Sequence, residues 1–126
     1  MDLIISLAKE VYDTLGPGFL ETVYQKAILV ELQNHGIRYE TETVYSITYK
    51  GVNIGNFRPD IIIPDLNLVI ELKAVNSKMK TEIYQIQKYL KYLELKNGLL
   101  INFPQFNSVP EIIQFPINNI MLNDIK

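Results

Sequence analysis

Residues 58–73, RPDIIIPDLNLVIELK, constrain the fold more than any other stretch, because two unbroken apolar runs flank a turn sequence. Ile61, Ile62 and Ile63 follow Asp60, and Leu68, Val69 and Ile70 lead into Glu71. Apolar runs without alternation belong to strands covered on both faces. Pro64, Asp65, Leu66 and Asn67 supply turn chemistry between them. Paired as a hairpin, the strands set Asp60 near Glu71, and alternation sends Glu71 and Lys73 to one face and Leu72 to the other.

Hydrophobic burial does not select two carboxylates and an ammonium beside such runs, since like charges repel in low dielectric and burial penalises ionised groups. A divalent cation resolves the conflict: Mg2+ takes one or two carboxylates plus water, and Mn2+ accepts similar oxygen ligands. Lys73 would then orient or help deprotonate a water there, or stabilise charge developing on a phosphate. The alternative from spacing alone is a surface cross-strand pair of Glu71 and Lys73, with Asp60 merely opening a strand.

Composition narrows the chemistry. The 126 residues, 48% hydrophobic and 21% charged, suit one domain over 1–126 with a substantial core. No run of about 18 apolar residues occurs, and the first residues lack the pattern of a secretory signal, so no membrane association is expected and a cytoplasmic location is. With no cysteine and a single histidine, His35, any metal must be held by oxygen ligands. The net charge of -2 and pI near 5.4 argue against indiscriminate polyanion binding. The charge is uneven, however: residues 1–72 carry five basic and ten acidic side chains, whereas 73–96 carry six lysines against two acids. That basic segment is either a phosphate-facing surface or a solvated helix face.

Ile4, Leu7, Ala8, Val11, Tyr12 and Leu15 recur at helical spacing, with Asp2 as cap and Gly16-Pro17-Gly18 as stop. A second helix is expected over 20–34, turning Leu20, Val23, Tyr24, Ala27 and Ile28 inward. On it Glu21 shares a face with Tyr24 and Gln25, and in the first turn Glu21 also suits the helix dipole. Extended segments follow: 38–42 enters a strand, then Val44, Tyr45, Ile47 and Tyr49 lead to a turn at Lys50-Gly51. Val52, Ile54 and Phe57 alternate on the return, with Gly55 open to a bulge. After a polar link, a helix over 81–96 buries Ile83, Ile86, Leu90 and Leu93 and stops at Asn97-Gly98. Tyr84, Gln85, Lys88, Tyr89, Lys91 and Tyr92 surround that stripe; they either touch nucleic acid or are boundary residues with wet hydroxyls. Leu99, Leu100, Ile101 and Phe103 form another buried strand, reached by a helical crossover. In 104–126, Ile112, Ile113 and Phe115 offer an edge strand or a contact with a second subunit.

Pro59-Asp60 followed by Glu71-Leu72-Lys73 resembles the bipartite motif of the PD-(D/E)xK nuclease-like superfamily. Residues 18–24, GFLETVY, resemble the G-x-x-E-x-x-Y signature of a small family within it, the GxxExxY family. Gln85 in QIQKYL and residues 98–103, GLLINF, resemble further segments of that family, so the likeness spans roughly 5–105. It implies an α/β (α+β) fold with a restriction-endonuclease-like core, a mixed central β-sheet flanked by helices. By matching position it implies Asp60 and Glu71 as metal-binding acids, Lys73 as catalytic lysine and Glu21 as an acid from the preceding helix. Tyr24 and Gln85 are implied as supporting residues, and Arg58 shares the face of Asp60 only if no bulge intervenes. The implied activity is a Mg2+- or Mn2+-dependent phosphodiesterase acting on nucleic acid, DNA ahead of RNA. The alternative is a nucleic-acid-binding or assembly module that keeps the fold without hydrolysis. A homo-oligomer formed through the C-terminal segment is compatible with either.

Overall fold

In the computed structural model, which describes residues 1–77, 79–105 and 109–116, the periodic N-terminal segments form two helices. α1 (Asp2–Leu15) buries Ile4, Leu7, Ala8, Val11 and Tyr12 and ends on Gly16 at φ 74°, a left-handed conformation that glycine adopts without a Cβ clash. Met1, not Asp2, takes the cap position; Asp2 lies in the first turn, where its charge still complements the dipole. α2 (Glu21–Asn34) buries Tyr24, Ile28 and Leu32, spaced by four, so Leu20 and Val23 are exposed rather than inward. The large Tyr24 ring decides this rotation by fitting between Tyr12 and Phe103, stacking on Phe103 at 4.4 Å.

Residues 38–42 form no strand. Glu40 makes a single bridge to Ile62, and Glu42, at φ 64°, turns the chain away. β1 (Tyr45–Tyr49) and β2 (Val52–Phe57) form a separate antiparallel hairpin. Its bulge sets Ile47 opposite Gly55 and Thr48 opposite Asn53, leaving Ile54 unpaired. The expected alternation is therefore broken: Val52 and Ile54 are 62% and 63% exposed, and Phe57 alone packs inward, stacked with Tyr45 and Tyr89.

β3 (Ile61–Ile63), β4 (Leu68–Lys73), β5 (Asn97–Asn102) and β6 (Glu111–Phe115) form a mixed sheet in that order. β3 and β4 are an antiparallel hairpin around the 3-10 turn Pro64–Leu66, with Asn67 left-handed at φ 53°. β4 and β5 run parallel, joined by α3 (Lys80–Leu93), and β6 adds antiparallel as the expected edge strand. α3 stops three residues short of its expected end, on a left-handed Glu94, and Asn97-Gly98 opens β5 instead. Asn67 draws this segment into the sheet: its carbonyl accepts the Asn97 N–H, and its side-chain oxygen accepts the Lys96 N–H. Gly98 then passes so close to Ile86 that a Cβ would sit 3.1 Å from the isoleucine side chain.

The sheet has a core on each face. Ile61, Ile63, Leu68, Ile70, Leu72, Leu99 and Ile101 pack against α1 and α2, while Ile62, Val69 and Leu100 meet α3 and the hairpin. This is the α/β (α+β) arrangement of a mixed sheet flanked by helices, and two-sided burial accounts for the unbroken apolar runs. Residues 117–126, part of the segment considered for subunit contact, lie outside the described residues.

Candidate active site

One step beyond the Ile61–Ile70 pair, the antiparallel register sets Asp60 opposite Glu71. Each carboxylate is held by the other's strand: Glu71 Oε1 accepts the Asp60 N–H at 2.9 Å, and Asp60 Oδ2 accepts the Leu72 N–H at 2.8 Å. Gln25 from α2 and Thr41 both donate to the Asp60 carbonyl, at 3.2 and 2.9 Å, and so fix its backbone from the far side. Alternation along β4 places Glu71 and Lys73 on the face shared with Val69.

Burial, then the Asp60 charge, pushes the Glu71 carboxyl up to about 8, against the pull of the Asp60 N–H and Lys73. Asp60 is also raised, by burial, while the Leu72 N–H, Lys73 and Arg58 oppose the shift. Glu21, opening α2, is raised by burial and by Asp60 while Lys73 lowers it. The charges of Asp60 and Lys73 thus act on both Glu21 and Glu71. Among the described residues the one ion pair is Arg38 with Asp65 at the surface, so Lys73 lies in the field of three acids without being tied to any of them.

The donor set fits a hard cation. Asp60 and Glu71 each keep one oxygen outside any hydrogen bond, and no buried side-chain oxygen among the described residues lacks a partner, so the free oxygens reach solvent. Two such oxygens on adjacent strands suit Mg2+ or Mn2+, which complete their shells with water. No group of three His, Asp or Glu side chains among the described residues forms a fuller cage, so Glu21 stands apart from the pair.

A family profile described as the PD-(D/E)XK nuclease superfamily matches residues 1–115. The chain belongs to this superfamily. Pro59-Asp60 and Glu71-Leu72-Lys73 fill the letters of the PD-(D/E)XK name, and the β3–β4 register brings the two halves together. Among solved structures, SSO0001 matches with a TM-score of 0.58 at 21% identity, over 83% of this chain and 55% of that one, a likeness of fold. The chain therefore spans about half the length of that protein. A phage-related exonuclease from Haemophilus somnus 129PT aligns with a TM-score of 0.49 at 13% identity, over 97% of this chain and 75% of that one. No match was found among curated proteins.

The other residues of the candidate site divide by what they touch. Arg58 is exposed, and its charge reaches Asp60. Gln85 donates to the Tyr89 hydroxyl at 2.6 Å, and that hydroxyl is raised by burial and by the charges of Glu71 and Asp60. Tyr24 does not join the acids through any hydrogen bond or ring contact. Its hydroxyl donates to the Gly16 carbonyl at 2.7 Å and accepts the Phe19 N–H at 3.3 Å, shaping the loop that delivers Glu21. Helical spacing names Tyr89 among the residues around the α3 stripe but not its relation to the acids, which depends on how α3 docks on the sheet. Asn102, opposite Lys73 in the β4–β5 register, is missed altogether. It is fully buried, accepts the Val75 N–H, and donates to the Val75 carbonyl and to Glu111, pinning the chain as it leaves Lys73. Its sequence signal is a lone asparagine inside the apolar run LLINF.

Proposed function

We propose that this chain is a divalent-metal-dependent nuclease that hydrolyses phosphodiester bonds in nucleic acid, DNA ahead of RNA, and that 1–126 is one domain of the GxxExxY family. The observation that carries the reading is the Asp60–Glu71 pair, two acids with raised pKa values set opposite each other beside an unpaired lysine. Structural stability alone disfavours such an arrangement, since each buried charge is penalised and the two repel.

Asp60 and Glu71 would hold Mg2+ or Mn2+ through their free oxygens; once bound, the ion supplies Lewis acidity at a phosphate oxygen and lowers the pKa of a water. Lys73, on the same strand face as Glu71, places its ammonium where negative charge accumulates on the phosphate in the transition state. Glu21, outside the pair but within reach of its charge from α2, has a raised pKa that suits proton exchange with solvent. Tyr89, steadied by Gln85, faces the acids from α3. The preference for DNA and the GxxExxY assignment rest on the GFLETVY resemblance. The thiol-free, oxygen-only site is compatible with a cytoplasmic location.

Labelled linear, branched and single-stranded DNA, incubated with Mg2+ or Mn2+, should be cleaved by the wild type and spared by folded Lys73→Ala, a loss of about 10²–10³-fold. Equal cleavage by both would remove Lys73 from the mechanism. A non-catalytic reading draws on the backbone partners that each carboxylate already has. Salt-dependent DNA binding that persists in chelator and in Asp60→Asn, without cleavage, would favour it.

A further inference from the structure

The outer face of α3 carries a stripe of which the carboxylate site uses Gln85 alone. Thr81, Tyr84, Gln85, Lys88, Lys91 and Tyr92 recur at spacings of three and four, which places them on one side of the helix, away from the buried Ile83 and Ile86. Tyr84 and Tyr92 are 46% and 52% exposed on a helix that has a well-filled inner face; Tyr92 leans against Phe57, ring centroids 6.1 Å apart at 46°, and keeps its other side in water. Thr81, Tyr84, Gln85 and Lys88 line an open depression of about 570 Å³. None of the six is acidic; Glu82, the single acid of α3, borders the stripe about 60° round the helix from Gln85.

The stripe leads to the acids. A helix that joins two parallel strands runs back against them, so the first turns of α3 stand beside the strand ends that carry Glu71 and Lys73. Gln85 belongs to the stripe and bonds Tyr89, whose hydroxyl feels Glu71 and Asp60. Charge complementarity singles out a polyanion: residues 1–72 are net acidic, whereas this face presents lysines with no acid among them. The form of polyanion follows from the rest of the composition. A chain of net charge -2 gains little from the sequence-independent attraction on which duplex binding relies. Exposed aromatic faces offer stacking to unpaired bases, a contribution closed to bases already stacked inside a duplex.

We propose that this face of α3 is the track on which an unpaired nucleic-acid strand approaches the carboxylate pair, with bases stacking on Tyr84 and Tyr92 and phosphates meeting Lys88 and Lys91. The destination rests on the nuclease reading; the binding does not. Fluorescence anisotropy of labelled oligo(dT), oligo(U) and a duplex of equal length, in EDTA so that hydrolysis is blocked, separates the two. The wild type should prefer a single strand to the duplex. Tyr84→Ala should weaken that binding about tenfold while Tyr84→Phe retains it, because the ring face and not the hydroxyl stacks. Lys88→Gln should flatten the dependence of log affinity on log salt by about 0.7, the share of one phosphate contact on a single strand. Lys26→Gln, an exposed lysine on α2, should change neither. Tighter binding to the duplex, or single-strand binding indifferent to both Tyr84→Ala and Lys88→Gln, overturns the proposal. Binding that depends on Tyr84 and Lys88 in a chain that cleaves nothing would sink the nuclease reading and leave this face standing. Cleavage by a chain whose binding ignores both residues would do the reverse.

Discussion

Replacing Glu71 by glutamine should stabilise the metal-free protein at alkaline pH, although it removes a residue at the centre of the site. An acid whose folded pKa lies above its unfolded value binds more protons in the native state, so stability falls as pH rises through the interval between the two. For Glu71 that interval runs from 4.5 to about 8. The destabilisation is on the order of 1 kcal/mol near pH 5 and grows to about 5 kcal/mol near pH 9, where both states are ionised. Asp60 is raised by the same burial and adds in the same direction. Glu71→Gln keeps the side-chain shape and the oxygen that accepts the Asp60 N–H, but carries no charge to desolvate. Urea unfolding in EDTA should therefore show a Glu71→Gln advantage that widens by about 4 kcal/mol between roughly pH 5 and pH 9. Adding Mn2+ should stabilise the wild type more than the variant and narrow the gap. A gap independent of pH, or a wild type more stable than Glu71→Gln at the alkaline end, would refute the account of why Glu71 is raised.

Mn2+ binding should displace the proton that Glu71 holds below about pH 8, so its calorimetric heat should vary with the ionisation enthalpy of the buffer. Buffer-independent heat, or weakening by neither Asp60→Asn nor Glu71→Gln, would contradict a metal centre on this pair. Asn102→Ala takes away the partner of both the N–H and the C=O of half-buried Val75 and should lower unfolding stability by about 2 kcal/mol in a urea titration. A loss under about 1 kcal/mol would show that other groups replace its bonds. Tyr24→Phe keeps the stack on Phe103 and loses the bond to Gly16, so a stability loss of about 1 kcal/mol with unchanged Mn2+ affinity is expected. Altered metal affinity in that variant would bring Tyr24 into the site itself.

The β3–β4 hairpin was legible because its signals are local: two apolar runs, a proline-led turn and acids whose alternation is set within the strands. The crossover to β5 was legible for the same reason, since the pattern changes period twice in short order. Where neighbours far along the chain decide, the sequence misleads. Leu20 and Val23 match an apolar stripe as well as Tyr24 does, and only the Tyr12 and Phe103 rings select the rotation that buries Tyr24. The end of α3 is decided by Asn67, at the turn of a different hairpin, which claims Lys96 and Asn97 for the sheet. Among the candidate site residues, Asp60, Glu71 and Lys73 follow from strand parity. Tyr89 acts across the sheet-helix interface, and Asn102 draws its partners from Val75 and Glu111, so no local pattern marks either.

Asp60 and Glu71 stand eleven residues apart, joined by one tight turn. Such a hairpin closes on the order of microseconds, whereas β4 finds β5 only after the whole length of α3 has been brought across the sheet. The two acids consequently meet while still hydrated and screened, and their mutual repulsion is slight when the pairing is made. The repulsion becomes costly only when α3 docks and water leaves Glu71. Proton uptake by the refolding chain therefore belongs to that late docking step, and the rate of docking, unlike that of hairpin closure, should slow as the solution is made alkaline.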